Sequence, residues 1–367
     1  MTGQAIELEA LTKTFPGSTT PAVAPLDLTL TAGEITVLIG PSGCGKTTTL
    51  RMINRLIDPT DGTIRIAGTD VREQSVTELR RGIGYVIQQI GLFPHRTIAQ
   101  NIAVVPKLVG WDKGRIDRRV NELADLVGIE RAMLDRYPSE LSGGQQQRVG
   151  VARALAADPP VLLMDEPFGA VDPIVRGRLQ QELLRLQEQV HKTIVLVTHD
   201  IDEAVHLGDK VAVLNVGGHL EQFAAPDDLL AAPGNDFVAD FVGHERSIKR
   251  LSLAQVGALD LTTGPVVDRE ASPAEVRAVV ERTGSSWLGV TSEGRFLGWI
   301  EAADLDGQGP AGLEPQPPAA VIHVESTLRE ALEVILTSRS SVAVVVDADD
   351  GFEGTVTLES IRTGLAR

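Results

Sequence analysis

The stretch GPSGCGKTTTL, Gly40 to Leu50, places three glycines and a lysine just before a run of threonines. The apolar, β-branched run Ile35–Ile39 before it predicts a buried strand, and the spacing of apolar residues after it predicts a helix. The glycines therefore lie at a turn from strand to helix. At such a turn, backbone N–H groups and the positive end of the helix can surround an anion.

Four residues of this stretch, Gly40, Gly45, Lys46 and Thr47, have the spacing G-x-x-x-x-G-K-[ST] of a phosphate-binding loop. In such a loop the lysine reaches the β- and γ-phosphates of a nucleotide, and the hydroxyl that follows it ligates Mg²⁺. A Gly-rich turn without a chemical role is the alternative, which the flanking strand and helix disfavour. The loop positions that we also assign to nucleotide contact are Ser42, Gly43, Cys44 and Thr48.

A second element, VLLMDEP from Val161 to Pro167, ends an apolar run with two carboxylates. The pattern predicts a buried strand that delivers Asp165 and Glu166 at its carboxyl end. A solvated strand end is the ordinary interpretation of such a pair, but a phosphate loop in the same chain favours metal and proton chemistry. We predict that Asp165 holds Mg²⁺ through water and that Glu166 accepts a proton from the attacking water.

The charge balance is acidic, because the 367 residues contain 34 Lys and Arg against 50 Asp and Glu, a formal net charge of -16. This balance argues against a nucleic-acid partner, which requires a basic face. The single cysteine excludes an intrachain disulfide. The sequence shows neither a signal-peptide pattern nor an apolar run near the roughly 20 residues that cross a bilayer. In a transport role, another chain would have to supply the membrane spans.

Up to about Gly243, short apolar runs alternate with helical patterns, which predicts an α/β core with a parallel sheet. The predicted strands are Ile35–Ile39, Gly84–Ile87, Val161–Met164, Thr193–Val197 and Lys210–Leu214. The predicted helices are Thr47–Ile57, Arg115–Val127, Gln145–Ala157 and Val175–Val190. We predict a first domain over residues 1–243, a helical subdomain inserted in it at about 97–140, and a charged linker over 244–251.

The remainder contains a weak internal repeat, because Ser286–Leu305 echoes Ser341–Ile361 with Gly298 and Gly354 at an offset of 56 residues. Each copy has the pattern of a strand, a polar Gly turn, a second strand that opens with Gly, and the start of a helix. We predict two small paired α+β units, over residues 252–309 and 316–367.

The segment Leu141–Leu155, LSGGQQQRVGVARAL, resembles the signature sequence of ATP-binding-cassette ATPases, and this resemblance extends over about residues 5–243. It implies a P-loop NTPase fold, with a RecA-like core and a helical subdomain, that binds and hydrolyses ATP with Mg²⁺. In the family, the signature of one subunit faces the γ-phosphate of ATP held by the opposite subunit of a dimer. The corresponding signature residues are Ser142, Gly143, Gly144 and Gln145. The resemblance further places Phe15 against adenine, Gln88 (with Gln89 as the alternative) at the metal and the attacking water, Asp172 in the D-loop and His199 at the γ-phosphate.

A single cassette without fused membrane helices or coiled coils resembles the separate ATPase subunit of an importer. This resemblance implies integral membrane permease subunits, an extracytoplasmic substrate-binding protein and a peripheral position at the cytoplasmic face of the plasma membrane. Two alternatives stay open. One is an importer of another amino acid or small cation, and the other is a non-transport protein whose cassette is a nucleotide-gated dimerisation switch.

The segments IGYVIQQIGLFPHRTIAQNI and LLMDEPFGAVDPIVR are similar to the corresponding sequences of importers of glycine betaine, carnitine, choline or proline. The repeat resembles tandem CBS domains. This implies osmoprotectant import regulated by a CBS module. The adenosine-site pattern of such modules is only partly present: Gly298, Glu301 and Asp304 stand in the first copy, and Gly354, Thr357 and Ser360 in the second. The departures favour a dimerisation role, or a ligand such as cyclic di-AMP at the dimer interface, over AMP or ATP.

Overall fold

The computed structural model describes residues 2–87, 91–169, 173–305, 309–337 and 341–365. Its contacts divide the chain into two compact units, Met1–His244 and Glu245–Arg367. Within the described ranges, no helix is both long enough and apolar enough to cross a membrane.

Two sheets lie in the described residues of the first unit. Their strands are β1 (Ile6–Lys13), β2 (Val23–Leu30), β3 (Ile35–Ile39), β4 (Asp61–Ile66), β5 (Thr69–Asp70), β6 (Ile83–Val86), β7 (Val161–Asp165), β8 (Thr193–Val197), β9 (Lys210–Asn215) and β10 (His219–Ala224). The larger sheet has the order β10-β9-β3-β8-β7-β6, and all its neighbouring strands except β10 are parallel. The predicted α/β core with a parallel sheet is confirmed.

The helices of this unit are α1 (Lys46–Ile53), α2 (Val76–Arg81), α3 (Ile98–Ile102), α4 (Val104–Leu108), α5 (Lys113–Leu126), α6 (Gly143–Leu155), α7 (Pro173–Val190), α8 (Ile201–Leu207), α9 (Pro226–Ala231) and α10 (Asp236–Val242). The stretch predicted as a helical subdomain contains α3, α4 and α5 and no strand among the described residues. Its helices begin at side-chain caps: Thr97 accepts from the N–H of Gln100, and Asp112 accepts from that of Arg115.

The parallel strands are buried on both faces, since every residue of β3, β7 and β8 is buried. This sheet order brings the carboxyl ends of β3, β8 and β7 side by side. The segments that leave those three ends begin with Gly40, Thr198 and Glu166. In an open parallel sheet this edge is where ligands bind.

The second sheet, of order β2-β1-β4-β5, is antiparallel and was not among the predicted strands. The sequence of β2 does contain a signal for a strand, because apolar Leu26, Leu28 and Leu30 alternate with polar Asp27 and Thr29. This alternation is typical of a strand with one face on the core, and the three leucines are buried. Helix α1 contributes Leu50 and Met52 to a core that also contains Leu28 of this sheet and Leu163 of the parallel sheet. The antiparallel sheet therefore shields α1, which the phosphate loop precedes.

The second unit contains two copies of one topology. Its elements are α11 (Arg246–Leu251), β11 (Val266–Asp268), α12 (Pro273–Thr283), β12 (Trp287–Ser292), β13 (Arg295–Glu301), β14 (Val321–His323), α13 (Leu328–Thr337), β15 (Val342–Val346), β16 (Phe352–Thr357) and α14 (Leu358–Leu365). In each copy a strand pairs in parallel with a second, which pairs antiparallel with a third. Gly298 and Gly354 occupy equivalent positions, with φ of 151° and 155°.

The segment that we predicted as a linker is not extended, because α11 covers Arg246–Leu251. Leu251 is 4 % exposed and belongs, with Val256, to the apolar core that β15 and α13 form. Sequence reasoning missed this helix because its charged residues lie on the solvated side, and the bounds of the linker stay a prediction. Residues just after 251, at the start of the first predicted copy, therefore pack on the second copy.

A buried lysine stabilises the first unit. Lys192, just before β8, is 2 % exposed, and its Nζ donates to Oδ1 of Asp158 at 2.7 Å. Burial raises the pKa of the Asp158 carboxyl, whereas the hydrogen bond and the charge of Lys192 lower it, and this pKa lies below its ordinary value. The carboxylate thus contributes stability above the unfolded-state pKa of about 3.9, and this contribution is lost as pH falls through the lower folded-state pKa.

We expect Asp158→Asn to lower the free energy of unfolding at pH 7 by about 1–2 kcal/mol, a modest value because the Asp158 side chain is 38 % exposed and water screens the pair. Asparagine tolerates the left-handed backbone of Asp158, whose φ is 56°. Urea unfolding at pH 7 and pH 3 measures the effect, which should shrink at pH 3. The control is Asp125→Asn, which removes an exposed pair with Arg131 and should change nothing measurable. An equal loss at both pH values would contradict the electrostatic explanation.

Candidate nucleotide-binding site

The loop between β3 and α1 is shaped by its glycines. Gly40, Gly43 and Gly45 have φ of 147°, 82° and 91°, a region that favours glycine. A Cβ on Gly40 would lie 2.0 Å from the carbonyl oxygen of Leu214, and one on Gly45 would lie 2.4 Å from that of Ala22. The loop is therefore pressed against neighbouring backbone at both ends, whereas its tip at Gly43 is open.

This contrast predicts different effects for two matched substitutions. Gly40→Ala should lower the free energy of unfolding by roughly 2–4 kcal/mol and weaken ATP binding at least tenfold, because the loop must move away from Leu214. Gly43→Ala has no atom within 4 Å of the added carbon and should cost only the strain of a left-handed alanine, about 1 kcal/mol. Urea unfolding and titration with a fluorescent ATP analogue measure both. Equal effects of the two variants would contradict the packing argument.

Lys46 opens α1 with its side chain turned into the loop. It is 7 % exposed, and its Nζ donates to the carbonyl oxygens of Gly40 at 2.7 Å and Pro41 at 3.1 Å. The ammonium thus lies in the loop cavity, where an incoming phosphate can replace these carbonyls as its partner. Cys44 is fully buried in the apolar core beneath the loop, so its side chain packs and only its backbone is left for a ligand.

The remaining loop residues lie at the tip of the loop and at the start of α1, and their contact with a nucleotide stays a prediction. Ser42 and Gly43 are exposed at the tip, and Thr47 and Thr48 lie half-buried in the first turn of α1. The Thr47 hydroxyl donates to Oδ1 of Asp165 at 2.8 Å. Two segments 118 positions apart in sequence thus place two side-chain oxygen atoms together.

Asp165 lies at the end of β7 and is 7 % exposed. Burial is the main cause that raises the pKa of its carboxyl, and the hydrogen bond from Thr47 and the charge of Arg51 oppose it. Burial also raises the pKa of Tyr85, and the nearby charge of Arg51 opposes this shift. Sequence reasoning missed Arg51 and Tyr85. The signal for Arg51 was its position four residues after Thr47, on the same face of α1.

Glu166 and His199 meet at the edge of the sheet. Glu166 Oε1 and His199 Nδ1 are 3.3 Å apart, although the residues come from the ends of different strands. Glu166 has φ of 45°, an uncommon conformation for a side-chain-bearing residue, and its N–H donates to the carbonyl of Val197 at 2.9 Å. Such strain is stored where the surrounding structure imposes it, often at functional sites. In this backbone conformation the Glu166 carboxylate lies beside the His199 side chain, which is 64 % exposed.

The signature residues form the start of α6. Ser142 accepts from the N–H of Gln145 at 3.3 Å, and the Gln145 side chain accepts from the N–H of Ser142 at 2.9 Å. This capping box occupies the Gln145 side chain, which we had assigned to nucleotide contact. Gly143 has open space around it, whereas a Cβ on Gly144 would meet Val175 at 2.7 Å. Among the described residues, no hydrogen bond joins this segment to the phosphate loop of the same chain.

Of the three remaining predicted site residues, the structure describes Phe15 alone. Gln88 and Asp172, and the alternative Gln89, lie outside the described residues. Phe15 follows β1 and is 42 % exposed, and the Nζ of Lys13 lies 5.3 Å from its ring centroid. An exposed ring is available for stacking, and its contact with adenine stays a prediction.

Comparisons with known proteins agree with this geometry. The family model "ABC transporter" matches residues 23–169, and the model "CBS domain" matches residues 313–367. The fold and the site thus define an ABC-type ATPase. The osmoprotectant import ATP-binding protein OsmV of Salmonella typhimurium is 46% identical over 363 residues, which cover 97% of this chain and 95% of that protein. The glycine betaine/carnitine/choline transport ATP-binding protein OpuCA of Bacillus subtilis is 43% identical over 362 residues, with coverage of 97% and 95%.

A solved structure supports the same assignment. A dimeric ATP-binding cassette in a post-hydrolysis state, bound to ADP and Pi, is 33% identical with a TM-score of 0.55. The match covers 60% of this chain and 98% of that one. The chain therefore belongs to the osmoprotectant-import family of ABC transporter ATP-binding proteins, and it carries a C-terminal CBS domain.

Proposed function

We propose that this chain hydrolyses ATP to power the import of quaternary-amine osmoprotectants, such as glycine betaine, carnitine and choline, through a separate membrane permease. The observation that carries the cargo class is similarity over the full chain: 97% of it, the C-terminal unit included, aligns with import proteins named for these compounds. The observation that supports ATP hydrolysis is the edge of the sheet from which the phosphate loop with Lys46 departs and at which Glu166 lies beside His199.

The proposed chemistry follows from that edge. Lys46 and the N-terminus of α1 bind the β- and γ-phosphates. Glu166 accepts the proton of the attacking water, and His199, beside it, contacts the γ-phosphate and orients it. Both side chains follow strand ends of one sheet, on the edge from which the phosphate loop departs.

Magnesium fits the ligands that the chain presents. Thr47 Oγ1 and Asp165 Oδ1 are hard oxygen donors 2.8 Å apart, and Mg²⁺ is usually held by one or two carboxylates together with substrate phosphates. We assign Thr47, Asp165 and Gln88 to the ion, which would neutralise phosphate charge when bound. In the described residues, no three His, Cys, Asp or Glu side chains group into a metal site of their own. The phosphates would therefore supply the remaining ligands.

Two copies of the chain are proposed to enclose two ATP molecules head to tail. Ser142 and Gly143 are exposed at the start of α6, a helix N-terminus that suits an anion held by another subunit. Ser42, at the tip of the phosphate loop, is also exposed. The arrangement is isologous, because each subunit contributes one phosphate loop and one signature helix to each site.

We expect Ser42→Cys and Ser142→Cys, combined in a Cys44→Ala background, to crosslink between protomers when ATP is saturating and Glu166→Gln prevents hydrolysis. The measurement is the fraction of covalent dimer on a denaturing gel after mild oxidation. The matched control moves the second cysteine to exposed Glu188 on α7, and this control should stay monomeric. Absence of an ATP-dependent dimer in the first variant would contradict the head-to-tail arrangement.

The proposed partners are permease subunits in the membrane and an extracytoplasmic substrate-binding protein, with this chain bound at the cytoplasmic face. The test is uptake of labelled glycine betaine, choline and proline by cells with the wild-type chain or with Glu166→Gln, together with purification of the native complex. ATP-dependent uptake of betaine or choline and a copurified permease support the proposal. Uptake of another solute alone would change the cargo, and absence of a permease would favour the dimerisation switch. Cyclic di-AMP between two C-terminal units is a proposal that rests on the sequence alone.

A further inference from the structure

The second unit contains a cavity of about 700 Å³ between its two repeated copies. Small-molecule sites have volumes of about 300–1,000 Å³. Trp287 and Trp299 of the first copy line it, together with Pro265 and with Ser341 and Val342 of the second copy. Two of the three tryptophans in the chain therefore line this one cavity.

The two rings lie on one face of the sheet. In the antiparallel pairing of β12 with β13, Trp287 lies opposite Glu301, and Trp299 lies opposite Gly289. Opposite residues share a face, so Trp287 and Trp299 are diagonal neighbours about 7–8 Å apart. The space across from Trp299 is occupied by the Phe296 ring, which a Cβ on Gly289 would approach to 2.6 Å.

The position of Trp299 is held from two sides. Its backbone N–H donates to the carbonyl of Gln316 at 2.7 Å, and its carbonyl accepts from the N–H of Gln316 at 2.8 Å. Its ring meets the edge of the Phe296 ring with centroids 5.1 Å apart. A ring fixed in this way is ordered before a ligand arrives, which lowers the entropy cost of binding.

The pair of rings breaks the symmetry of the repeat. Trp299 and Thr355 each follow the glycine with positive φ, and each pairs with the segment that leads into the other copy. Trp287 and Val342 each open the antiparallel ladder of their copy. Two tryptophans in one copy therefore correspond to a threonine and a valine in the other. Folding of the repeat does not require aromatic residues at these positions, so they fit a ligand-specific role.

The electrostatic character of the cavity favours a cation over a phosphate. Among the described residues that line it, none is Lys, Arg or His, and the polar side chains are the neutral Ser285, Gln316 and Ser341. Glu301 shares the face of Trp287 and adds a carboxylate to it. Tryptophan faces attract cations, and they recognise quaternary ammonium groups in particular.

We propose that this cavity binds a quaternary ammonium cation, with its methylated head against Trp287 and Trp299. The identification of that cation with the transported compound rests on the proposed function. Gln316 and Ser341 can bond the carboxylate or hydroxyl at the other end of such a molecule, whereas the Ser285 hydroxyl already donates to the carbonyl of Trp287 at 2.7 Å. The site would let the C-terminal unit report the concentration of imported solute, with a dissociation constant on the order of 1 mM because few contacts are made.

The test is titration of the purified full-length chain with choline, glycine betaine and 3,3-dimethylbutanol, the uncharged carbon analogue of choline, followed by tryptophan fluorescence and calorimetry. We expect saturable binding of choline or betaine, and binding of the neutral analogue at least tenfold weaker. Trp299→Leu should weaken cation binding about tenfold, whereas Trp299→Phe should keep most of it. Trp111→Leu, outside the cavity, is the matched control and should bind as wild type. Where Trp299→Leu fails to fold, Trp287→Leu replaces it, because Trp287 is 37 % exposed.

Three outcomes would overturn the proposal: no saturable binding, equal binding of the neutral analogue, or a loss that the Trp111 control shares. Saturable binding of ATP, AMP or cyclic di-AMP that Trp299→Leu abolishes, without cation binding, would assign the cavity to a nucleotide and also overturn it. The assay needs neither permease nor hydrolysis. Absent cation binding with intact betaine uptake therefore refutes this inference alone, whereas absent uptake with intact binding refutes the proposed function.

Discussion

Glu166→Gln is expected to lower the kcat of ATP hydrolysis by a factor of roughly 10²–10⁴ while ATP binding persists. Glutamine has nearly the same shape but cannot accept the proton of the attacking water. The carboxylate that it replaces lies 3.3 Å from His199, and glutamine is long enough to keep this distance, so we expect the variant to lose basicity without a change of position. Without hydrolysis, ATP should hold two chains together as a dimer.

The measurement combines steady-state phosphate release with size-exclusion chromatography in ATP. Glu188→Gln, on the exposed side of α7, makes the same chemical change away from the site and should hydrolyse ATP as wild type. Hydrolysis by Glu166→Gln at the wild-type rate would remove Glu166 from its proposed role. His199→Ala gives a second measurement: it should lower kcat while Glu166 remains, because the phosphate then lacks its orienting partner.

Lys46→Met is expected to weaken ATP binding about 100-fold, which corresponds to about 2.7 kcal/mol. Methionine keeps the unbranched stem of this buried side chain but removes the ammonium that bonds the carbonyls of Gly40 and Pro41. These two hydrogen bonds place the positive charge of Lys46 inside the loop. Hydrogen bonds between a charged donor and phosphate are the strong ones, so their loss should dominate any change in packing.

Titration with a fluorescent ATP analogue measures this loss, and urea unfolding checks that the loop still folds. Lys107→Met, at an exposed position on α4, removes an equal charge from the same unit and should leave ATP affinity unchanged. An ATP affinity of Lys46→Met within threefold of wild type would contradict the assignment. A general electrostatic effect would instead weaken both variants alike.

The antiparallel sheet and α11 show where sequence reasoning failed. The strands of that sheet pair across sequence distance, with Ile6 opposite both Leu30 and Ile66, and a search for alternating strands and helices overlooks such pairing. Helix α11 was hidden by its charges, because only Leu251 of its six residues is buried. In both cases a few apolar residues decide the structure, and their partners are remote in the chain.

Local sequence was sufficient to predict the phosphate loop, the buried parallel strands, the signature helix and the repeat in the second unit. These features depend on backbone conformations and on hydrophobic periodicity within a few neighbouring residues, which a short segment specifies. The proximity of Thr47 to Asp165, of Glu166 to His199 and of Trp287 to its diagonal neighbour Trp299 required the tertiary structure. Strand order and register set those distances, and they result from the packing of the whole unit rather than from any one segment.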